Sequence, residues 1–194
     1  MRLAILATVW IVAACGAFGP ISSPADGPWR SDPYDQVDPR LAGAAEAACR
    51  EVGQIDPARA NVMLHDQRGA GVDTVIFGGP NLIGECDTQL HSDGKVRVSG
   101  GSSTTLDAAA PPQGPGVTNE LGGAMSGTDV IDRTVAGGQV GPGVAGVVIV
   151  LRDGSVVTAS VGNGLYSAWW PGTTEAVSVV VMGPDGSPLA TLQP

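Results

Sequence analysis

Short apolar runs separated by glycine-containing turns fill the last third of the chain and limit what it can fold into. The turns are Asp153-Gly154, Asn163-Gly164, Pro171-Gly172 and Pro184-Asp185-Gly186. An Asp-Gly pair between two apolar runs is a favoured connection of a β-hairpin, and runs this short are typical of strands. The pattern predicts antiparallel strands at 130–135, 144–151, 155–161, 165–170, 176–182 and 189–192.

The first half has one segment with clear helical spacing. Asp38 can cap a helix that begins at Pro39, and Gly53 can end it. The residues predicted to share its apolar face are Leu41, Ala45, Ala48 and Val52. Strands are predicted after it at 60–65, 73–77, 82–89 and 95–99, so a helix should pack on an antiparallel sheet.

These patterns divide the chain into five segments. We predict a signal peptide at 1–14, a proline-rich tether at 15–38, a small α+β domain at 39–99, a linker at 100–127 and a β-sandwich domain at 128–194. The predicted fold class is mainly β. It has a small α+β N-terminal domain and a C-terminal antiparallel β-sandwich, immunoglobulin-like in the loose sense.

The leader indicates export. Arg2 precedes an uncharged apolar run that is too short to cross a bilayer. The residues Val12-Ala13-Ala14-Cys15 resemble the lipobox of bacterial lipoproteins. The resemblance implies cleavage before Cys15, a lipid on its thiol, and anchoring at the outer face of the cytoplasmic membrane. Two alternatives stay open: cleavage after Gly16 or Ala17 would release a secreted soluble protein, and an uncleaved leader would be a weak anchor.

The cysteine count agrees with a modified Cys15. The chain has three cysteines, so lipidation of one leaves Cys49 and Cys86 as a pair. In an oxidising compartment such a pair most often forms a disulfide.

Charge excludes two classes of partner. The net charge is −9 at pH 7 and the few basic residues are scattered. We therefore expect no nucleic-acid binding and no basic patch for anionic lipid, which leaves the lipid as the predicted contact with the membrane. No cofactor motif is present, since Gly100-Gly101-Ser102-Ser103 lacks the lysine and the strand–helix setting of a phosphate loop.

A longer stretch near the C-terminus carries a second resemblance. Residues 163–172, Asn-Gly-Leu-Tyr-Ser-Ala-Trp-Trp-Pro-Gly, resemble an NG-x-[YF]-x-AWWPG stretch. It occurs in a group of uncharacterised actinobacterial secreted or membrane-associated proteins, which include predicted lipoproteins. Cys49-Arg50 and the turn Asp66-Gln67-Arg68-Gly69 are similar to features of their first half. The resemblance supports the domain organisation and implies no activity.

Three aromatic residues of this stretch are candidates for a binding surface. Trp169 and Trp170 are adjacent on a predicted strand, so their side chains point to opposite faces. One should fill the core, and the other either packs under a loop or is exposed for contact with a partner. Tyr166 shares the face of Trp170 and would extend such a surface.

The two histidines, His65 and His91, are the candidates for catalysis. Together with Cys49 and Cys86 they form an allowed zinc ligand set, but the expected disulfide competes for both cysteines. A hydrolase could use His65 or His91, although no Gly-x-Ser-x-Gly elbow occurs. Acidic residues such as Asp153 and Asp185 are better explained by turns than by calcium. The sequence thus predicts a non-catalytic envelope protein, a lipid-anchored binding module without cofactor or metal, and an envelope hydrolase as the alternative.

Overall fold

The computed structural model describes residues 29–51, 60–69, 72–79, 82–105, 112–119, 121–127 and 130–193. The predicted signal peptide, Cys15 and the tether as far as residue 28 lie outside the described residues. The described part is mostly strand with antiparallel pairing, which confirms the prediction of a mainly β fold.

One helix and twelve strands form within these ranges. In chain order they are α1 (Pro39–Glu51), β1 (Asn61–Gln67), β2 (Val72–Gly79), β3 (Leu82–Leu90), β4 (Val96–Thr105), β5 (Leu121–Gly127), β6 (Val130–Gln139), β7 (Gly146–Leu151), β8 (Val156–Thr158), β9 (Ser160–Gly162), β10 (Leu165–Pro171), β11 (Ala176–Met182) and β12 (Pro188–Leu192). Sheet I has the order β1-β2-β3-β4, sheet II the order β5-β6-β10-β9, and sheet III the order β12-β11-β7-β8.

Helix α1 begins where the sequence predicts and covers one face of sheet I. The Asp38 carboxylate accepts a hydrogen bond from the Arg40 backbone N–H at 2.9 Å, the usual role of an N-cap aspartate. Ala45 and Cys49 are fully buried against Val75 and Phe77. The predicted disulfide between Cys49 and Cys86 joins the helix to β3, with an S–S distance of 2.03 Å.

Sheets II and III pack face to face. Their shared interior is apolar and includes Val147, Ile149, Val157, Ala168 and Trp170. The predicted strand 155–161 is divided at Ala159, so that β8 pairs in sheet III and β9 in sheet II. The single run of sequence therefore supplies an edge strand to each sheet.

The turns between these strands have the chemistry that their sequences predict. Gly154 and Gly186 have φ angles of +85° and +76°, the left-handed region in which glycine is favoured. The Asp153 carboxylate accepts hydrogen bonds from Ser155, and Asp185 does the same with Ser187.

The segment predicted as a linker, 100–127, contributes strands. β4 continues to Thr105, and β5 pairs with β6. These strands were not predicted because they are rich in glycine and serine and have few of the apolar residues by which a strand is recognised. At Gly101 a Cβ would lie 2.8 Å from the Glu85 carbonyl oxygen, so the backbone approach requires the small residue.

Candidate functional site

The three aromatic residues predicted as a binding surface are all buried. Trp169, Trp170 and Tyr166 are 1%, 2% and 2% exposed, so they form no exposed aromatic patch. The two tryptophans point to opposite faces of sheet II, as predicted. Trp170 packs between sheets II and III. Trp169 faces sheet I, where its indole N–H donates to the Asp66 carbonyl oxygen at 3.3 Å, and Trp29 packs on it.

Trp169 is covered because sheet I packs on the face of sheet II that turns away from sheet III. One part of this contact is apolar and contains Ile76, Ile83, Leu121 and Leu165. Another part is charged. We call it the charge layer, and it comprises Asp66, Arg68, Glu85, Asp87 and Arg133.

Arg68 and Asp66 form the first ion pair of the charge layer. Both side chains are fully buried, and the Arg68 Nε lies 2.9 Å from the Asp66 carboxylate. The Arg68 guanidinium also donates to the backbone carbonyls of Ser31 and Thr158. The Ser160 hydroxyl donates to Asp66 at 2.9 Å. Since Thr158 and Ser160 flank the point where the chain changes sheets, this pair ties sheet I to that crossing.

Arg133 and Asp87 form the second pair. Arg133 enters from β6, and its Nη2 lies 3.1 Å from the Asp87 carboxylate on β3. The guanidinium also lies over the Trp169 ring, 5.6 Å from its centroid. The hydroxyl of Thr74 donates to Asp87 as well. The pair therefore joins sheets I and II directly.

Glu85 has no cation bonded to it. It lies two residues before Asp87 on β3, so it shares the face of that residue, and it is 4% exposed. Its carboxylate accepts a hydrogen bond from the Ser102 hydroxyl at 3.0 Å. Its second oxygen has no hydrogen-bond partner among the described residues.

Burial controls the protonation of these carboxyls. It raises the pKa of Asp66 to about 6, against the lowering effect of Arg68. Burial and the neighbouring Asp87 charge raise the pKa of Glu85 to about 7, against the lowering effects of the Ser102 hydrogen bond and the Arg133 charge. Burial likewise raises the pKa of Asp87, which Arg133 opposes.

His65, a candidate catalytic residue, lies on the opposite face of sheet I, under α1. Its Nδ1 is 2.7 Å from the buried Asp73 carboxylate and its Nε2 is 3.2 Å from Glu46 of the helix. Burial opposes a charge on the ring, but the two carboxylates outweigh it and raise the pKa of His65. Both ring nitrogens are thus engaged by carboxylates, an arrangement that holds an imidazolium in place and presents no free base.

His91 and the cysteines have other roles. His91 begins the turn between β3 and β4, where its backbone N–H donates to the Lys95 carbonyl. Neither histidine is hydrogen-bonded to a serine, threonine or cysteine in the described part of the chain. The two cysteines of the possible zinc set are joined in the disulfide, and the described residues contain no group of three or more potential metal ligands.

A cleft of about 620 Å³ opens at the apolar end of the contact between sheets I and II. We call it the end cleft. Sheet I supplies Asn61, Met63, Gly78, Gly79, Leu82 and Ile83, and sheet II with its loops supplies Gln139, Val140, Pro142, Asn163, Gly164 and Leu165. None of these residues is ionisable. The Asn163 side chain donates to the Met63 carbonyl at 2.7 Å across the two sheets, and Asn163 has a φ of +52°.

No protein-family model, no curated protein and no solved structure matches the chain. Within the described residues, no helix combines the length and apolar character needed to cross a membrane.

Neither the charge layer nor the end cleft was predicted from the sequence. Asp66 and Arg68 have the composition of a surface turn, and Arg133 lies on a strand whose partner was not evident. One signal was available: Glu85 and Asp87 alternate with Gly84 and Cys86 in a strand that begins with the apolar Leu82 and Ile83. Charged residues on one face of a strand, with a buried cysteine on the other, indicate a buried polar contact or an exposed face.

Proposed function

We propose that the chain is a non-catalytic binding module of the cell envelope, held at the outer face of the cytoplasmic membrane by a lipid on Cys15. In this proposal the ligand is a small uncharged molecule with a mostly apolar body, bound in the end cleft. The module comprises an α+β unit, residues 39–99, and a C-terminal β-sandwich, immunoglobulin-like in the loose sense. The observation that carries the proposal is that all twelve residues lining the end cleft are uncharged, although the chain has a net charge of −9.

A cleft of this composition favours a neutral ligand. Ligand sites are commonly concave, mostly apolar and a few hundred Å³ in volume, with a few polar groups that set orientation. Asn61 and Gln139 supply such groups at the end cleft, among apolar side chains such as Met63, Leu82 and Leu165. A charged ligand would lose its hydration there without gaining a counter-charge.

The positions of the ionisable groups support a non-catalytic role. The carboxyls whose pKa values are raised by burial, Asp66, Glu85 and Asp87, belong to the charge layer and line no part of the end cleft. Perturbed groups that serve catalysis are expected to face a cleft where substrate can reach them. The alternative of a hydrolase depends on His65 or His91; His65 is held between two carboxylates, and His91 begins the turn between β3 and β4.

Two probes that differ in charge test the ligand. N-phenyl-1-naphthylamine is neutral, whereas 8-anilinonaphthalene-1-sulfonate has a similar skeleton with a sulfonate. We expect the neutral probe to bind one site with at least tenfold higher affinity, measured by fluorescence titration. Equal affinity, or a preference for the sulfonate, would contradict a neutral ligand.

Two matched proline variants locate the site. Pro142 lines the end cleft, and Pro184 lies in a turn elsewhere; both are exposed. Pro142→Glu should weaken the neutral probe about tenfold or more, because it places a charge at the rim. Pro184→Glu should leave the affinity unchanged. If both variants bind equally well, the probe is held elsewhere. If the probe is excluded only at protein concentrations at which the chain dimerises, the end cleft is occupied by a second copy.

The anchor is tested at Cys15. The lipobox resemblance and the disulfide between the other two cysteines support lipidation there. Two acyl chains give firm anchoring, so Cys15→Ser should be released from membranes or left unprocessed. The measurement is membrane fractionation with mass spectrometry of the mature N-terminus. A variant that stays anchored and acyl-labelled would disprove the lipid anchor and leave the secreted soluble protein as the alternative.

A further inference from the structure

We infer that the contact between sheets I and II binds one proton at Glu85, and that this proton links the packing of the two sheets to the surrounding pH. The inference concerns the fold itself and does not depend on the ligand proposed above. It rests on how the charged side chains are paired in the charge layer and on the face of sheet I under α1.

Every ionisable group in the cluster except Glu85 has an opposite charge bonded to it. Asp66 is paired with Arg68, and Asp87 with Arg133. On the opposite face of sheet I, under α1, Asp73 is paired with His65, which also contacts Glu46 of the helix. Asp73 acts on Asp66 and Asp87 through its charge, so it belongs to the same cluster.

The remaining elements around Glu85 bring no further cation. Its hydrogen-bond partner on β4 is the neutral Ser102. From sheet II, the side chains that face sheet I next to Arg133 are the uncharged Val135, Trp169 and Ser167, and β5 contains no ionisable residue. Among the described residues, four buried carboxyls thus face Arg68, Arg133 and the His65 imidazolium. One carboxyl is unmatched, and by position it is Glu85.

A proton on Glu85 removes the excess charge. An isolated buried carboxylate is costly, and such a group neutralises by binding a proton. Its second oxygen has no hydrogen-bond partner among the described residues, which adds to the cost of the charged form. These conditions agree with a Glu85 pKa raised from the ordinary 4.5 to about 7.

The sign of the pH dependence follows from linkage. A carboxyl whose pKa is higher in the folded than in the unfolded state stabilises the fold fully when the pH is below the unfolded-state pKa. This stabilisation is lost as the pH rises through the folded-state pKa. For Glu85 the window runs from pH 4.5 to about 7. The raised pKa values of Asp66, Asp87 and His65 act in the same direction. Contact between the two sheets should therefore be tightest in mildly acidic surroundings.

Glu85→Gln tests the inference, because glutamine has the shape of the protonated acid and does not titrate. The whole mature chain, with its disulfide intact, is unfolded with urea at pH values from 5 to 8. For the parent we expect the unfolding equilibrium constant to rise with pH, with Glu85 contributing on the order of 10- to 100-fold. Glu85→Gln should lose that part of the rise. The control Glu175→Gln changes an exposed carboxylate paired with Arg152 and should keep it.

Two results would overturn the inference. One is a Glu85→Gln variant whose pH dependence runs parallel to that of the parent. If the variant does not fold, the carbon-13 carboxyl signal of Glu85 in the parent decides, since titration near 4.5 rather than near 7 means that no proton is held. No ligand is present in these measurements, so failure of the probe experiment leaves them unaffected.

If the end cleft also binds its ligand as proposed, the same proton regulates it. Sheets I and II supply opposite walls of the end cleft, and a looser contact changes their separation. This step rests on the proposed function. It predicts that probe affinity falls between pH 5 and 8 in the parent but not in Glu85→Gln.

Discussion

Sheet II has two covered faces, and they are held by different forces. Toward sheet III the contact is apolar, with Val147, Ile149 and Trp170 at its centre. Toward sheet I the contact includes two buried ion pairs, and the Arg133 guanidinium of one pair lies over the Trp169 ring. The adjacent Trp169 and Trp170 thus lie in a charged and an apolar contact, and the residue type alone does not predict which is which.

The two contacts are expected to contribute differently, one to the stability of the fold and the other to the relative position of the sheets. Apolar burial stabilises a fold by roughly 25 cal/mol per Å² and accepts many arrangements of similar side chains. A buried ion pair contributes little net stability, because desolvation offsets the attraction, but it is costly to break. We expect the apolar contact to supply stability and the charge layer to fix how sheet I sits on sheet II.

The largest effect should come from removing one partner of a buried pair. Arg68→Met leaves Asp66 buried without its cation, and loss of one partner of such a pair costs about 3–5 kcal/mol. The free energy of unfolding from urea titration measures the loss. It should be smaller at pH 5 than at pH 8, since without Arg68 the already raised pKa of Asp66 rises further and the acid takes a proton.

The double variant Arg68→Met with Asp66→Leu sharpens this test. Replacing both partners by apolar residues should recover most of the lost stability. If the double variant is as damaged as the single one, the hydrogen bonds from Arg68 to the Ser31 and Thr158 carbonyls matter more than the charge. That outcome would contradict the view that charge pairing distinguishes the contact with sheet I from the contact with sheet III.

A cavity in the apolar contact should cost a similar or smaller amount and should not depend on pH. Ile149 is fully buried there, and Ile→Ala in a core costs about 2–5 kcal/mol. The urea midpoint of Ile149→Ala should therefore fall by the same amount at pH 5 and pH 8. A loss that changes with pH would mean that the charge layer is coupled to this face as well.

Local chemistry explains which parts of this architecture were predictable. The turn at Asp153-Gly154, the cap at Asp38 and the strands β3 and β11 follow from residues close together in the sequence. The pairing of Cys49 with Cys86 followed from an odd cysteine count and an oxidising compartment. Each of these inferences needs only a few neighbouring residues or a simple count.

The rest depends on contacts between distant residues. Arg133 meets Asp87 across 46 positions of sequence, and no local pattern marks either as buried. The stacking of sheet I on sheet II buries Trp169, which the sequence left free to be either packed or exposed. The end cleft is lined by residues of both sheets, so it could not be predicted before their packing was known.

The smallest effect should come from an ion pair outside both contacts. Arg152 and Glu175 join the ends of β7 and β11 at the surface, where both side chains are mostly exposed. Exposed pairs contribute about 0–1 kcal/mol because water and salt screen them. Arg152→Met should therefore lower the free energy of unfolding by less than about 1 kcal/mol, and added salt should abolish the difference. Arg152→Met and Arg68→Met both remove an arginine that is paired with a carboxylate. Under the same conditions, the difference between their losses in free energy of unfolding therefore measures the effect of burying the pair. Equal losses in the two variants would mean that the burial of the charge layer does not matter.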